Sequence, residues 1–161
     1  MHTKKEFIQD IKENEGIIYK ITRIYSNNKE DQKDLYQEIV YQLWKSKSSF
    51  KENSKISTWM YRIALNTAIS NLKKEKRKGF QVSIDNLFLN QMDQVDTVME
   101  ERITLLYAHI KKLNIVERGI ILLYLEGKNY DEIAAITGFT NTNIGTRLAR
   151  IKQKLRSQIK K

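Results

Sequence analysis

The chain has 161 residues, 40% hydrophobic and 30% charged, with a formal net charge of +10. That balance suits one folded domain or two small ones and excludes a disordered chain. The excess of cations favours a polyanionic partner, nucleic acid before an acidic membrane surface.

With no cysteine, and with His2 and His109 as the only imidazoles, neither a disulfide framework nor a transition-metal centre is expected. The opening residues "MHTKKEFIQDIKENEG" have no apolar run behind their lysines and do not read as a secretory leader. No stretch approaches the roughly 18 apolar residues of a membrane span. The expected location is therefore cytoplasmic, without membrane insertion. Proline is also absent, which permits long uninterrupted helices.

Helical periodicity runs through nearly the whole chain. Phe7, Ile8 and Ile11 predict one short stripe, and Ile18, Ile21 and Tyr25 a second after Gly16. "SNNKED" interrupts with turn and helix-start residues. Leu35, Ile39, Gln42 and Leu43 predict a third helix ending near "SKSS". A fourth, "KISTWMYRIALNTAISNLKKEKRK", starts with the anchors Ile56, Trp59, Met60 and Ile63 and ends in the cations Lys73, Lys74, Lys76, Arg77 and Lys78.

Residues 79–97, "GFQVSIDNLFLNQMDQVDT", change character: they hold three aspartates and no lysine or arginine. Net charge is +7 over residues 1–78, −3 over 79–97 and +6 over 98–161. This pattern predicts two small basic helical domains, 1–78 and 98–161, joined by a flexible linker at 79–97 that spans about 60 Å if extended. The second block predicts four helices: one through Ile103, Leu106 and Ile110, a second stopped by Gly127, and then a pair.

That pair, "YDEIAAITGFTNTNIGTRLARIKQKL", has helix-turn-helix spacing. Ala134 is small where two helices approach closely. Gly138 stands where the turn requires positive φ. Ile144 faces back to Ile133 and Ile136, and Leu148 and Ile151 extend the stripe. Either Asn141 or Thr140 can cap the second helix. Its exposed face carries Asn143, Thr146, Arg147, Arg150 and Lys154, the side-chain types that read base edges and phosphates in a major groove. On the third helix, Asp34, Gln37, Glu38 and Tyr41 form a polar strip suited to a protein partner. On the fourth, Thr58, Arg62, Asn66, Ser70, Lys73 and Arg77 share a face edged by Ile69. In the loop before it, Asn53 and Ser54 can hydrogen-bond a base edge while Lys51 and Lys55 hold phosphates.

Three stretches, "DLYQEIVYQLWKSKSSF", the W-[LM]-x-x-I-A-x-N core at Trp59 to Asn66, and "LNIVERGIILLYLEGKNYDEIAAITGFTNTNIGTRLARIKQKLR", resemble in order the polymerase-gripping, promoter-melting and −35-reading parts of an RNA polymerase sigma factor of the extracytoplasmic-function type, with regions 2 and 4 only. The resemblance implies an all-α, two-domain subunit with no catalytic residue, no metal and no cofactor. It implies core polymerase contacts at Asp34, Leu35, Gln37, Glu38, Tyr41 and Trp44. It implies −10 DNA contacts at Lys51, Asn53, Ser54, Lys55, Trp59, Arg62, Asn66, Lys73, Lys74 and Arg77. The −35 contacts fall at Asn141, Thr142, Asn143, Thr146, Arg147, Arg150 and Lys154. The implied partners are core RNA polymerase, promoter DNA (duplex at −35, melted at −10) and an anti-sigma factor, with the chain a monomeric subunit of holoenzyme. A free-standing helix-turn-helix repressor or activator is the alternative. Two departures from the family pattern stand out: no proline precedes "NIVERG", and Gly145 sits inside the second helix of the pair.

Overall fold

A computed structural model describes residues 4–51, 54–77 and 98–159, with backbone only at 77. The linker expected at 79–97, the side chains of Asn53 and Arg77, and Lys78 lie outside the described residues. The described residues are all-α: α1 Lys4–Ile24, α2 Lys29–Ser46, a 3-10 turn Lys47–Ser49, α3 Ile56–Arg77, α4 Val98–Lys111, α5 Ile115–Leu125, α6 Tyr130–Thr137 and α7 Asn141–Ile159. No helix among them is long and apolar enough to cross a membrane.

The first block has three helices where the sequence predicts four. The two stripes flanking Gly16 lie on one continuous α1. A glycine inside a helix costs roughly 0.5–1 kcal/mol relative to alanine, and packing of α1 against α2 and α3 offsets it. Phe7, Ile18 and Ile21 are buried, but Ile8 turns outward. Asn28 caps α2 by accepting from the Asp31 N–H at 2.8 Å, and Glu30 and Asp31 suit the positive end of the helix dipole. Leu35, Ile39 and Leu43 form its single buried stripe.

α3 is buried more widely than one stripe. Besides Trp59 and Met60, the chain buries Tyr61, Ala64, Leu65, Ala68 and Leu72. The reason is position: α3 packs against α1 and α2, and also against α5 and α6. Met60 and Tyr61 both meet Asn14 of α1, the Tyr61 hydroxyl donating to Asn14 Oδ1 at 2.7 Å.

The second block starts each of its short helices with a reciprocal cap. Asn114 accepts from Glu117 N–H at 2.8 Å while the Glu117 carboxylate accepts from Asn114 N–H at 3.2 Å. Asn129 and Glu132 repeat the arrangement. The Asn114 box sets the start of α5 in place of a proline. Gly127 (φ 85°) ends the turn after α5, and Gly138 (φ 87°) ends α6, its N–H donating to Ala134 O at 2.8 Å. Both angles are easy only for glycine. The buried residues of the two blocks form one apolar cluster, so α1–α3 and α4–α7 meet along a seam.

Candidate nucleic-acid interface

The helix-turn-helix is built as its spacing predicts. Ile133 and Ile136 of α6 and Ile144, Leu148 and Ile151 of α7 are all buried. Thr140 is the cap: its hydroxyl accepts from the Asn143 N–H at 3.1 Å. Asn141 instead donates to the Asp131 carboxylate of α6. The outer face of α7 presents Thr142, Asn143, Thr146, Arg147 and Arg150, which with Thr140 line an open depression of about 350 Å³. Arg147 is held in place: its Nε donates to Asn143 Oδ1 at 2.6 Å and its guanidinium lies over the Phe139 ring at 4.2 Å. That leaves Nη1 and Nη2 as the pair for a two-bond contact to guanine.

Lys154 has a partner within the chain. Its ammonium turns back to Glu117 of α5, at 2.8 and 3.1 Å from the two carboxylate oxygens, and Glu117 is buried. Burying a carboxylate without a partner is costly, so this pair braces α7 on α5. Lys152 adds a second brace, donating to the Tyr124 hydroxyl at 3.0 Å and lying over that ring. Helical spacing cannot reveal either contact, because the partners lie 37 and 28 residues away.

On α3, Asn66, Ser70, Lys73 and Lys74 are exposed on one side, Thr58 is half-buried, and Ile69 edges that face as expected. Ahead of it, Lys51, Ser54 and Lys55 are exposed. Two residues expected to touch DNA make contacts within the chain. Trp59 is 8% exposed and packs its ring 5.3 Å from Phe50, fixing the loop to the helix start. Arg62, though exposed, donates to the Ala135 carbonyl of α6.

On α2, Asp34, Gln37, Glu38, Tyr41 and Trp44 face outward, whereas Leu35 is 1% exposed and belongs to the core. The resemblance implied Leu35 as a polymerase contact, but it falls on the buried stripe with Ile39 and Leu43. Trp44 is pinned edge-on by Phe7 at 5.3 Å and covered by Lys47 at 3.7 Å, yet remains 40% exposed. A held, exposed aromatic beside a polar strip is a protein-docking surface in composition.

Residues 11–78 match Sigma-70 region 2, and residues 103–155 match Sigma-70, region 4. The chain belongs to the sigma-70 family. Its resemblance runs to the extracytoplasmic-function type, and it is a promoter-directing RNA polymerase subunit. It is 29% identical to RNA polymerase sigma factor SigV of Bacillus subtilis strain 168, over 99% of this chain and 94% of that one. It is 26% identical to the ECF RNA polymerase sigma-E factor of Escherichia coli K12, over 80% and 74% of the two chains. In fold it is similar to the sigma factor RpoE solved with the anti-sigma factor NepR from Bartonella quintana (TM-score 0.75, 21% identity, 97% and 98% covered). It is also similar to CnrH solved with the cytosolic domain of CnrY (TM-score 0.72, 18% identity, 98% and 90% covered).

Proposed function

We propose that this sigma-70 family chain divides its work among three surfaces, within domains taken as residues 1–78 and 98–161. The outer face of α2 (Asp34, Gln37, Glu38, Tyr41 and Trp44) docks on core polymerase. The loop at Lys51 to Lys55, Asn53 included, and the α3 side bearing Asn66, Lys73 and Lys74, with Arg77 beyond them, hold the melted −10 element. The α7 face from Asn141 to Arg150 reads the −35 duplex. The chain performs no bond chemistry of its own: it acts in the cytoplasm as a single subunit of holoenzyme and is restrained by an anti-sigma protein.

The observation that carries the reading is the outward α2 face. An aromatic pair beside acidic and amide groups suits a large protein partner and has no use in a DNA contact, where acidic residues are repelled by phosphate. Two weak DNA contacts on one subunit then gain from each other, because the first raises the effective concentration of the second.

The test is run-off transcription with bacterial core polymerase over a genomic library. The expected result is a shared upstream motif, with Trp44→Ala weakening core binding about tenfold or more while the helical spectrum stays intact. Equally tight and specific promoter binding with and without core polymerase would overturn the reading in favour of a free-standing helix-turn-helix regulator.

A further inference from the structure

Three cations converge where the end of α1 meets α4 and α5. Arg23, in the last turn of α1, reaches Thr104 Oγ1 at 3.4 Å and lays its guanidinium 4.4 Å over the Tyr107 ring. Arg118 of α5 donates from Nη1 to the Ile24 carbonyl at 3.2 Å and from Nε to the Leu113 carbonyl at 3.2 Å. Those carbonyls stand at the end of α1 and just past the end of α4, so Arg118 ties both helix ends to α5. Lys111 is the last residue of α4 and shares a face with Thr104, with Ala108 between them.

The two arginines have internal partners but do not spend all their donors on them. Arg23 keeps Nε and Nη1 beyond its Thr104 contact, and Arg118 keeps Nη2. Lys111 makes no ion pair among the described residues. Burial, then Arg23 and Arg118, push its ammonium down to about 8, and no carboxylate opposes them. The acids of this part of α5 are committed elsewhere: Glu126 pairs with Lys20 and Glu117 with Lys154.

Half-buried like charges repel more strongly than the same charges in water, and an unpaired buried charge is costly. An anion between them removes both penalties. Guanidinium groups offer planar paired donors to a phosphate, and an ammonium adds a point charge. Arg23, Thr104, Lys111 and Arg118 are all half-buried, so solvent reaches the cluster from one side. The cations come from three helices and meet at one place, whereas duplex phosphates repeat along a line. That geometry suits a small anion, and three positive charges suit one of more than single charge.

We propose that Arg23, Lys111 and Arg118 form a binding site for a small, multiply charged phosphate ligand held between α1, α4 and α5. The site is separate from the α7 and α3 faces and does not depend on the sigma-factor reading.

Thermal melts of the full chain in phosphate-free, magnesium-free buffer, held at one ionic strength with potassium chloride, test it. Inorganic phosphate at ten times its Kd should raise the melting temperature by about 3–6 °C, and pyrophosphate should do so at a lower concentration. Calorimetric titration should give one site per chain. Lys111→Met should lose the response while melting no lower than wild type in the absence of phosphate, which separates lost binding from a folding defect. Lys111→Arg, which keeps the charge, should keep the response. Adenosine triphosphate distinguishes the two sources of the ligand: binding tighter than pyrophosphate points to a nucleotide, equal binding to free phosphates, and either supports the site. The site is overturned if added potassium chloride alone gives the same rise, or if Lys111→Met responds as wild type does. It is also overturned if Arg147→Ala abolishes the response, which would put the anion on the outer face of α7.

Discussion

α7 and α3 carry similar chemistry, amides and cations on one helix face, but differ in readiness. α7 is braced from behind by Glu117–Lys154 and Tyr124–Lys152, and its reading face is open and partly ordered through Asn143, Arg147 and Phe139. α3 is buried against four helices, and one of its expected DNA contacts, Arg62, is occupied by α6. A helix that reads intact duplex can be finished in advance. A helix that holds strands only after they part need not be, and in the free chain its face is shared with the neighbouring block.

The largest test of this contrast compares Arg147→Ala with Lys73→Ala plus Lys74→Ala in holoenzyme. Arg147→Ala should cost about 1–3 kcal/mol of promoter affinity and relax preference at one −35 position. The double lysine variant should weaken all promoters alike and lower the slope of log K against log salt by about 2. Fluorescence anisotropy on promoter and scrambled fragments at several salt concentrations separates the two. If Arg147→Ala also produces a uniform, salt-type loss, α7 is a phosphate clamp and the contrast collapses.

A smaller effect probes the seam. Lys111 holds its proton less tightly in the folded chain (about 8) than in an unfolded one (10.5) because it is buried beside Arg23 and Arg118. Between pH 8 and 10.5 the unfolded chain therefore binds more protons, and stability should rise with pH across that window. Lys20, whose pKa is raised chiefly by its hydrogen bond to Glu126, acts in the opposite sense only above its ordinary value of 10.5. Urea midpoints at pH 7.5 and 9.5 should thus increase for wild type and stay level for Lys111→Met, which should also be the more stable of the two at pH 7.5. A wild-type midpoint that falls over this range would remove the repulsion argument from the seam.

The contrast between α7 and α3 also marks what the sequence made legible. The helix-turn-helix could be read residue by residue because its determinants are local: Ala134, Gly138 and Ile144 act within one motif, and Gly138 does adopt φ 87°. The buried breadth of α3 could not. Leu65 is covered because Gly119, 54 positions later, leaves room for it, and no helical period carries that information. Lys154 was read as a DNA contact from its face and from the resemblance, and Leu35 as a polymerase contact from the resemblance. Glu117 claims the first and the α2 core stripe the second. Gly16 misled in the other direction, since a glycine weakens a helix without ending it when packing on both flanks persists.

The smallest expected effect concerns the second helical glycine near a reading surface. Gly119 and Gly145 look alike in sequence, yet a Cβ at 145 would meet only Tyr130, at 3.4 Å from Cε2 and 3.8 Å from Cδ2, which is ordinary contact with a partly exposed ring. Gly145→Ala should therefore recover the helix propensity that glycine forfeits, about 0.5–1 kcal/mol, and raise the melting temperature by about 1–4 °C. Because Ile144 and Leu148 already fix α7 and Arg147 is held by Asn143, −35 affinity should change less than about twofold, under 0.5 kcal/mol. Paired melting and anisotropy measurements decide it. A stabilised helix that binds DNA much more weakly would mean that the reading face depends on local give at 145, and that α7 is no more finished in advance than α3.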